Sequence, residues 1–380
     1  MNADVIVIGA GSVGTPLAMY LAEAGMRTLV LDAGASAGQG NNKCAIGGVR
    51  ATHSDPAKVA LCLESLNVFR TWHEIHGEAI GWRQGGYSFV AYEEEIAEAL
   101  RAMIPGQRKA GLSIDWHEAG FIRELVPGIN PEGLLGGTFS PGDGSASPMK
   151  SCYAFYQQAR RLGASFMFRE TVTGIRHHAG AFTVRTSRDS HQAPVLVNCA
   201  GSSASELGAM LGIVLPVVPD SHEAGITEPV KRFFDPMVVD LRRVPGSSNY
   251  YFFQYDSGQV VFCISPDPPV IGTDCRETSV FLPQVASRMV NLWPRLGNLK
   301  VRRTWRGCYP QTPDGSPIMG QVGPRGSYAA VGMCGQGFML GPGAGAALAR
   351  LIAGSPTETD LMVMHQMRAD RDFGVSEALR

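Results

Sequence analysis

The first 34 residues constrain the fold of this chain more than any other stretch. The segment DVIVIGAGSVG (residues 4–14) combines a run of β-branched residues, a glycine turn and the start of a helix. The pattern predicts a buried strand over Asp4–Ile8, a helix over Thr15–Ala24 and a second strand over Thr28–Gly34. The chain therefore begins with one βαβ unit.

Three glycines follow the first strand in the spacing G-x-G-x-x-G: Gly9, Gly11 and Gly14. In dinucleotide-binding folds the first permits a tight turn, the second lets backbone approach a pyrophosphate, and the third lets helix and strand pack closely. The helix N-terminus stabilises the phosphate charge, and Asp32, 18 residues after Gly14, can accept hydrogen bonds from an adenosine ribose. Further contacts of the ADP half are expected from Ser12, Val13 and Ala33.

This motif does not distinguish NAD from FAD, because both carry an ADP half. Three later features favour FAD. A polar, glycine-rich loop (Gly38–Gly48) follows the acid, and the strand VLVNCAG (Val195–Gly201) ends in small residues. A late glycine-rich segment, GMCGQGFMLGPGAG (Gly332–Gly345), leads into a helix predicted over Ala344–Ala353. A long FAD needs such a segment, because its flavin end lies far from its adenine end.

Composition narrows the class of protein. The chain has 380 residues, a net charge of −1 and only 18% charged residues, which is typical of a soluble protein with a large core. Nothing in the charge pattern indicates nucleic acid or an anionic membrane surface, and no apolar stretch has the length of a membrane span. The N-terminus lacks signal-peptide features, and the eight cysteines contain no C-x-x-C pair. We therefore expect a cytoplasmic protein with reduced thiols and no metal site.

The strand pattern changes along the chain and predicts two domains. From about Leu215, short strands alternate with turns, as in an antiparallel sheet. The predicted fold is α/β combined with α+β: a Rossmann-like FAD-binding domain of the glutathione-reductase type with an inserted antiparallel-sheet substrate domain. We assign residues 1–84, 146–214 and 326–380 to the FAD-binding domain, and residues 85–145 and 215–325 to the substrate and interface domain.

Several segments resemble a known family. DVIVIGAGSVG…LVLD, VLVNCAG, TPDGSPIMG and GMCGQGFMLGPGAG resemble the D-amino-acid-oxidase-like superfamily of FAD enzymes. CAIGGVRATHSDPAKV, HEAGITEPV and RTWRGCYPQTPDGSPIMG are similar to the β subunits of dye-linked L-proline dehydrogenase, hetero-oligomeric sarcosine oxidase and opine dehydrogenase. The resemblance implies oxidation of the C–N bond of an amine that carries a carboxylate, such as proline, sarcosine or an opine, by hydride transfer to flavin. It also implies an α subunit as partner, and it is compatible with an iron–sulfur subunit and with an FMN at a subunit interface.

The resemblance also assigns cofactor positions outside the first βαβ unit. Val172 matches a strand residue whose backbone meets adenine, and Ala200 and Gly201 match a small pair near the pyrophosphate and ribityl chain. Backbone N–H groups at the flavin end would stabilise negative charge on the reduced ring. The remaining expected FAD contacts are Asn42, Gly307, Gly332, Gly335, Gly337, Phe338 and Met339.

Four residues are candidates for the catalytic site. Arg50 matches an arginine next to the flavin in the similar families, where the guanidinium fork suits a carboxylate, although a structural acid partner is also open. His222 could orient substrate or tune its protonation, and a buried, satisfied histidine is the competing interpretation. Tyr251 and Gln254 lie on a strand expected to face the flavin, but their pattern equally suits core positions.

Three departures from the similar families refine these expectations. Gly307 stands where some sarcosine oxidases carry the cysteine that binds FAD covalently, so we expect non-covalent FAD. No histidine lies near GSASPMKS, so any FMN should also be non-covalent. The stretch Val260–Thr278 lacks a lysine for oxygen activation, which favours a dehydrogenase. Oxidation of a 2-hydroxy acid and a non-catalytic electron-relay subunit remain open alternatives.

Overall fold

The two strands of the N-terminal βαβ unit belong to a six-stranded sheet in the computed structural model, which describes residues 3–374 and 376–379. Its strands are β1 (Val5–Ile8), β2 (Thr28–Asp32), β8 (Ser165–Phe168), β12 (Val195–Asn198), β18 (Ile318–Gln321) and β19 (Ser327–Val331). They lie in the order β18–β19–β12–β1–β2–β8, and only the β18–β19 pair is antiparallel. All of β1 is buried, as its β-branched composition predicts.

Two small sheets accompany the first one. The three-stranded sheet contains β9 (Val172–His178), β10 (Ala181–Thr186) and β11 (Ser190–Ala193) in the order β11–β10–β9. Its apolar residues, such as Phe182, pack against Ile6 and Ile8 and cover one face of β1. The second small sheet joins β3 (Gly48–Val49) to β7 (Gly144–Ser145).

The second large sheet has eight strands and is mainly antiparallel, as the sequence predicts. Its strands are β4 (Tyr87–Ala91), β5 (Asp115–Glu118), β6 (Gly136–Ser140), β13 (Val218–Pro229), β14 (Met237–Asp240), β15 (Gly246–Gln254), β16 (Gln259–Asp267) and β17 (Val301–Gln311). Their order is β17–β13–β16–β15–β14–β4–β6–β5, with β14–β4 as the parallel pair. One strand departs from the predicted division of the chain: β18 lies within residues 215–325 yet belongs to the first sheet.

The helices of the described residues pack around these sheets. They are α1 (Gly14–Glu23), α2 (Pro56–His76), α3 (Glu94–Lys109), α4 (Ala119–Leu125), α5 (Pro148–Arg161), α6 (Ala204–Ala209), α7 (Phe281–Leu292), α8 (Gly337–Ile352) and α9 (Glu358–Gln366). Residues of α1, α2, α5 and α8 share one apolar core with β1 and β2. Within the described part of the chain, no helix has the length and apolarity needed to cross a membrane.

The start of α8 differs from the sequence prediction. The helix begins at Gly337 and not near Ala344, and it contains Pro342. Glycine and proline disfavour a helix locally, but here close packing requires bare backbone. A Cβ at Gly343 would lie 2.1 Å from the carbonyl oxygen of Leu61, so α8 can approach α2 only through glycine.

Candidate active site

A cavity of about 540 Å³ runs from the carboxyl ends of β1, β2 and β12 to the face of the eight-stranded sheet. In open α/β sheets, ligands bind at the carboxyl ends of the strands. The cavity collects most of the FAD contacts predicted from the sequence. These are Gly9, Gly11, Ser12, Val13, Asp32, Ala33, Asn42, Val172, Ala200, Gly201, Gly307, Gly332, Gly335, Gly337, Phe338 and Met339.

The three glycines of the first turn have different physical roles. Gly9 has φ +110°, and a Cβ there would lie 2.5 Å from the carbonyl oxygen of Cys199. Gly14 does not line the cavity; a Cβ there would lie 1.8 Å from the carbonyl oxygen of Gly9. Gly11 has open space in the Cβ direction and lines the cavity. Gly14, one of the positions matched to the ADP site, therefore has the packing role predicted for the third glycine and does not line the cavity, and Gly11 is the position open to a phosphate.

Asp32 is held in place at the end of β2. One carboxylate oxygen accepts a hydrogen bond from the backbone N–H of Ala10 at 2.6 Å, and the other accepts one from the N–H of Gly34 at 2.6 Å. A carboxylate offers about four acceptor positions, so these two bonds leave capacity for a ribose hydroxyl. The arrangement fits the adenosine end of a dinucleotide.

The opposite end of the cavity lies at the N-terminus of α8. Gly335 has φ +79°, and a Cβ there would meet the ring of Tyr309 at 2.4 Å. Gln336, the residue before α8, is 5% exposed and lines the cavity. Neither its amide oxygen nor its amide nitrogen has a hydrogen-bond partner among the described residues. A buried polar group normally has a partner, so this amide fits a polar ligand such as the flavin. The glycine pattern drew attention to its neighbours, and sequence reasoning missed Gln336.

Arg50 supplies a buried positive charge. Its side chain is 5% exposed, and Arg50 is the one arginine or lysine among the described residues that line the cavity. The guanidinium donates to the carbonyl oxygens of Thr52 and of Leu379, the latter at 2.6 Å, and lies 3.3 Å from Nδ1 of His53. Among the described residues it forms no ion pair within 4.0 Å, although its charge acts at longer range on the buried carboxyl of Asp143 and lowers the pKa of that group against the effect of burial.

His222 belongs to a network that sequence reasoning found only in part. Its Nε2 lies 2.9 Å from a carboxylate oxygen of Asp220, and its ring stacks on Tyr309 with centroids 3.8 Å apart. Nδ1 of His222 is buried and has no partner in the described structure. The hydroxyl groups of Tyr251 and Tyr309 lie 2.6 Å apart, and burial raises the pKa of both phenols. Asp220 and Tyr309 had no motif to identify them.

Gln254 corrects a prediction. Its amide nitrogen donates to the carbonyl oxygen of Gly258 at 2.8 Å, and its amide oxygen accepts from the backbone N–H of Phe233 at 3.0 Å. The residue is 1% exposed and does not line the cavity. Gln254 therefore stabilises the turn after β15 and has no contact with the candidate site.

The described residues form a candidate dinucleotide site joined to a chamber that is lined by the buried Arg50, and the chain was compared with known families. The profile of the FAD-dependent oxidoreductases of the D-amino-acid oxidase type matches residues 4–351. The chain belongs to this family, and FAD is its cofactor. This confirms the family resemblance and the cofactor predicted from the sequence.

Individual relatives extend this result. The chain is 28% identical over 377 residues to mitochondrial sarcosine dehydrogenase from Mus musculus, covering 95% of this chain but 40% of the relative. It is 24% identical to the sarcosine oxidase subunit beta of Rhodobacter capsulatus, covering 92% and 84% of the two chains. The crystal structure of L-proline dehydrogenase from P. horikoshii superposes with a TM-score of 0.88 at 27% identity, covering 94% of this chain and 95% of that one. The fold prediction is thereby confirmed.

Proposed function

We propose that this protein oxidises the C–N bond of an amino acid or secondary amine that carries a carboxylate. The observation that carries the proposal is Arg50: a buried guanidinium at the wall of the FAD cavity, without an ion-pair partner in the described residues. Burying an unpaired charge is costly, and a guanidinium binds a carboxylate through two parallel hydrogen bonds. A substrate carboxylate supplies the missing partner.

The chain's own residues bind and orient this substrate. FAD, when bound, accepts the hydride from the carbon next to the substrate nitrogen. The contacts of Arg50 with Thr52, His53 and Leu379 occupy at most three of its five N–H groups, so donors remain for a carboxylate. His222 is held by Asp220, and its buried Nδ1, which has no partner among the described residues, is the ring nitrogen that can accept a proton from the substrate ammonium. The paired phenols of Tyr251 and Tyr309 form a polar wall beside it.

Within this function we favour a dehydrogenase over an oxidase. None of the described residues that line the cavity is a lysine, which agrees with the absence of lysine from Val260–Thr278. Similarity to a sarcosine oxidase subunit beta supports a catalytic subunit of a hetero-oligomer with an α subunit. An iron–sulfur subunit, an interfacial non-covalent FMN, non-covalent FAD and a cytoplasmic location belong to the same proposal, as does the division of the chain into two domains.

The test is anaerobic reduction of the FAD-loaded protein by single compounds. Sarcosine, L-proline, an opine and a 2-hydroxy acid are each mixed with the protein, and the visible absorbance of the flavin is followed. At least one of these amines should bleach the flavin. Bleaching by 2-hydroxy acids alone would replace the proposal with oxidation of a hydroxy acid, and bleaching by none of them would indicate an electron-relay subunit.

A matched pair of variants tests the role of Arg50. Arg50→Ala should lower the apparent affinity for the amine about 100-fold or more, because a charged hydrogen-bonded pair contributes roughly 3 kcal/mol or more at a buried site. Arg243→Ala is the control, because Arg243 pairs with Asp267 at the exposed surface. An Arg50→Ala variant that retained FAD and full amine affinity would contradict the assignment.

A further inference from the structure

An exposed loop carries one of the eight cysteines to the edge of the FAD cavity. Residues 268–280 connect β16 to α7, and all of them are exposed except Gly272, which is half-buried. Hydrogen bonds from the backbone and the side chain of Ser221 attach this loop to β13. The N–H of Ser221 donates to the carbonyl oxygen of Val270, and the hydroxyl of Ser221 lies 3.1 Å from the carbonyl oxygens of Gly272 and Asp274.

The attachment brings two thiols together. Sγ of Cys275, on the loop, lies 3.6 Å from Sγ of Cys308, on β17. Cys275 is exposed, whereas Cys308 is 5% exposed and lines the cavity next to Gly307. A disulfide needs sulfurs about 2.05 Å apart, so the exposed loop has to bring the two sulfurs closer by roughly 1.5 Å.

We propose that Cys275 and Cys308 form a reversible disulfide, which makes this pair a redox modification site beside the flavin end of the cavity. The pair is separate from the substrate chemistry, and its formation does not depend on the proposed function. In a reducing compartment such a bond is transient and has a sensing role, since stable structural disulfides are rare there.

The oxidant is a small disulfide, and the reaction balances by two thiol–disulfide exchanges. The thiolate of Cys275 attacks the small disulfide, breaks its S–S bond and releases one small thiol. Cys308 then loses its proton to solvent, and its sulfur attacks the sulfur of Cys275 and releases the second small thiol. Two protein thiols are oxidised and one small disulfide is reduced. Burial raises the pKa of Cys308 to about 11, so exposed Cys275 makes the first attack.

The loop gives this site a connection to the proposed active site. Asp220 accepts a hydrogen bond from the N–H of Val270 at 2.9 Å through one carboxylate oxygen, and its other oxygen contacts His222 at 2.9 Å. Closing the disulfide would move the loop whose Val270 N–H holds Asp220, and Asp220 in turn contacts His222. We expect the oxidised protein to turn over substrate at least threefold more slowly than the reduced protein.

The first test needs no substrate. The FAD-loaded protein is incubated with oxidised glutathione, unfolded, and its free thiols are counted and mapped by mass spectrometry. The count should fall from eight to six, with a peptide cross-link between Cys275 and Cys308, and dithiothreitol should restore all eight. Glutathione retained on Cys275 with Cys308 free, or an unchanged thiol count, would overturn the proposal.

Variants separate this pair from its neighbours. Cys275→Ser, at an exposed position, should abolish the cross-link while leaving FAD content unchanged. Cys44→Ser is the matched control. Cys44 lies against Gly307, the residue before Cys308 in the chain, but the thiol in contact with Cys308 is that of Cys275. Cross-linking that persists in Cys275→Ser, or is lost in Cys44→Ser, would assign the reaction to another thiol. If the cross-link forms but no amine reduces the flavin, the modification site stands and only the proposed function fails.

Discussion

The ammonium group of Lys58 and the carboxylate of Glu377 lie 3.4 Å apart, and both side chains are fully buried. Lys58 also donates to the carbonyl oxygen of Gly315 at 3.0 Å, and Glu377 accepts hydrogen bonds from the N–H and hydroxyl of Ser54. Two residues further along, the carbonyl oxygen of Leu379 accepts a hydrogen bond from Arg50. The ion pair therefore anchors the C-terminal segment that helps to hold Arg50.

Breaking this ion pair from one side should be strongly destabilising. Glu377→Gln leaves the ammonium of Lys58 buried without its counter-charge, and the free energy of unfolding should fall by roughly 3–5 kcal/mol. Denaturant titration of the FAD-loaded protein measures the change. The double variant Lys58→Met with Glu377→Leu should be more stable than either single variant. A cost below about 1 kcal/mol, the range of an exposed pair, would contradict this interpretation.

Asp143 should make stability depend on pH between about 4 and 7. Burial raises the pKa of its carboxyl to about 6. Hydrogen bonds from Ala51 and Thr52 lower this pKa, but the effect of burial is larger. The unfolded chain ionises near pH 3.9 while the folded chain stays protonated, so the native protein loses stability as the pH rises through about 6. Relative to Asp143→Asn, the wild type should lose about 3 kcal/mol over this range. The comparison cancels the titration of other groups, and equal pH profiles would refute it.

Two helical glycines should respond to alanine in opposite ways. Gly343→Ala places a Cβ 2.1 Å from the carbonyl oxygen of Leu61, so α2 and α8 must separate and the thermal midpoint should fall. We expect a loss of about 1–3 kcal/mol from this overpacking. A Cβ at Gly106 in α3 would have no neighbouring heavy atom within 4 Å, and Gly106→Ala should stabilise by roughly 0.5–1 kcal/mol. Equal effects of the two substitutions would show that packing does not explain the late glycines.

Gln336 should raise the affinity for FAD while slightly destabilising the protein without FAD. Gln336→Leu removes an amide whose polar atoms lack partners in the described structure, so the apoprotein should be unchanged or up to about 1 kcal/mol more stable. FAD affinity should fall about five- to tenfold, because one hydrogen bond contributes roughly 1–1.4 kcal/mol. Fluorescence titration with FAD measures the affinity, with exposed Gln366→Leu as the control. An apoprotein destabilised by the change, with FAD affinity intact, would mean that Gln336 has only a structural role.

Asp220 should act through His222. Asp220→Asn removes the negative charge next to Nε2 and weakens the fixed ring orientation, so kcat for the amine should fall about 10- to 100-fold with a smaller change in KM. The pH profile of kcat should shift to a different midpoint, which a merely structural substitution would not cause. Asp256→Asn at the exposed surface is the control. An unchanged pH profile would remove Asp220 from the proton path.

The glycine turn and the acid beside the cavity were predictable because their geometry is local. Gly9, Gly11 and Asp32 lie within one βαβ unit, and strand–turn–helix spacing alone brings them together. The late glycines were also identified, but the start of α8 was not. The low helix propensity of glycine and proline predicts no helix through Gly341, Pro342 and Gly343. The helix forms there because α8 packs closely against α2.

The amino-acid sequence by itself determined the first βαβ unit, the mixed fold and a dinucleotide cofactor, because each of these follows from periodicity and from residues close together in the chain. Tertiary structure alone decided which polar groups meet. It bonded Gln254 to the turn after β15, joined His222 to Asp220 and Tyr309, placed Cys275 beside Cys308, and brought Leu379 to Arg50 across most of the chain. Such contacts depend on how sheets and loops pack, and hydrophobic periodicity carries no information about the partner of a buried polar atom.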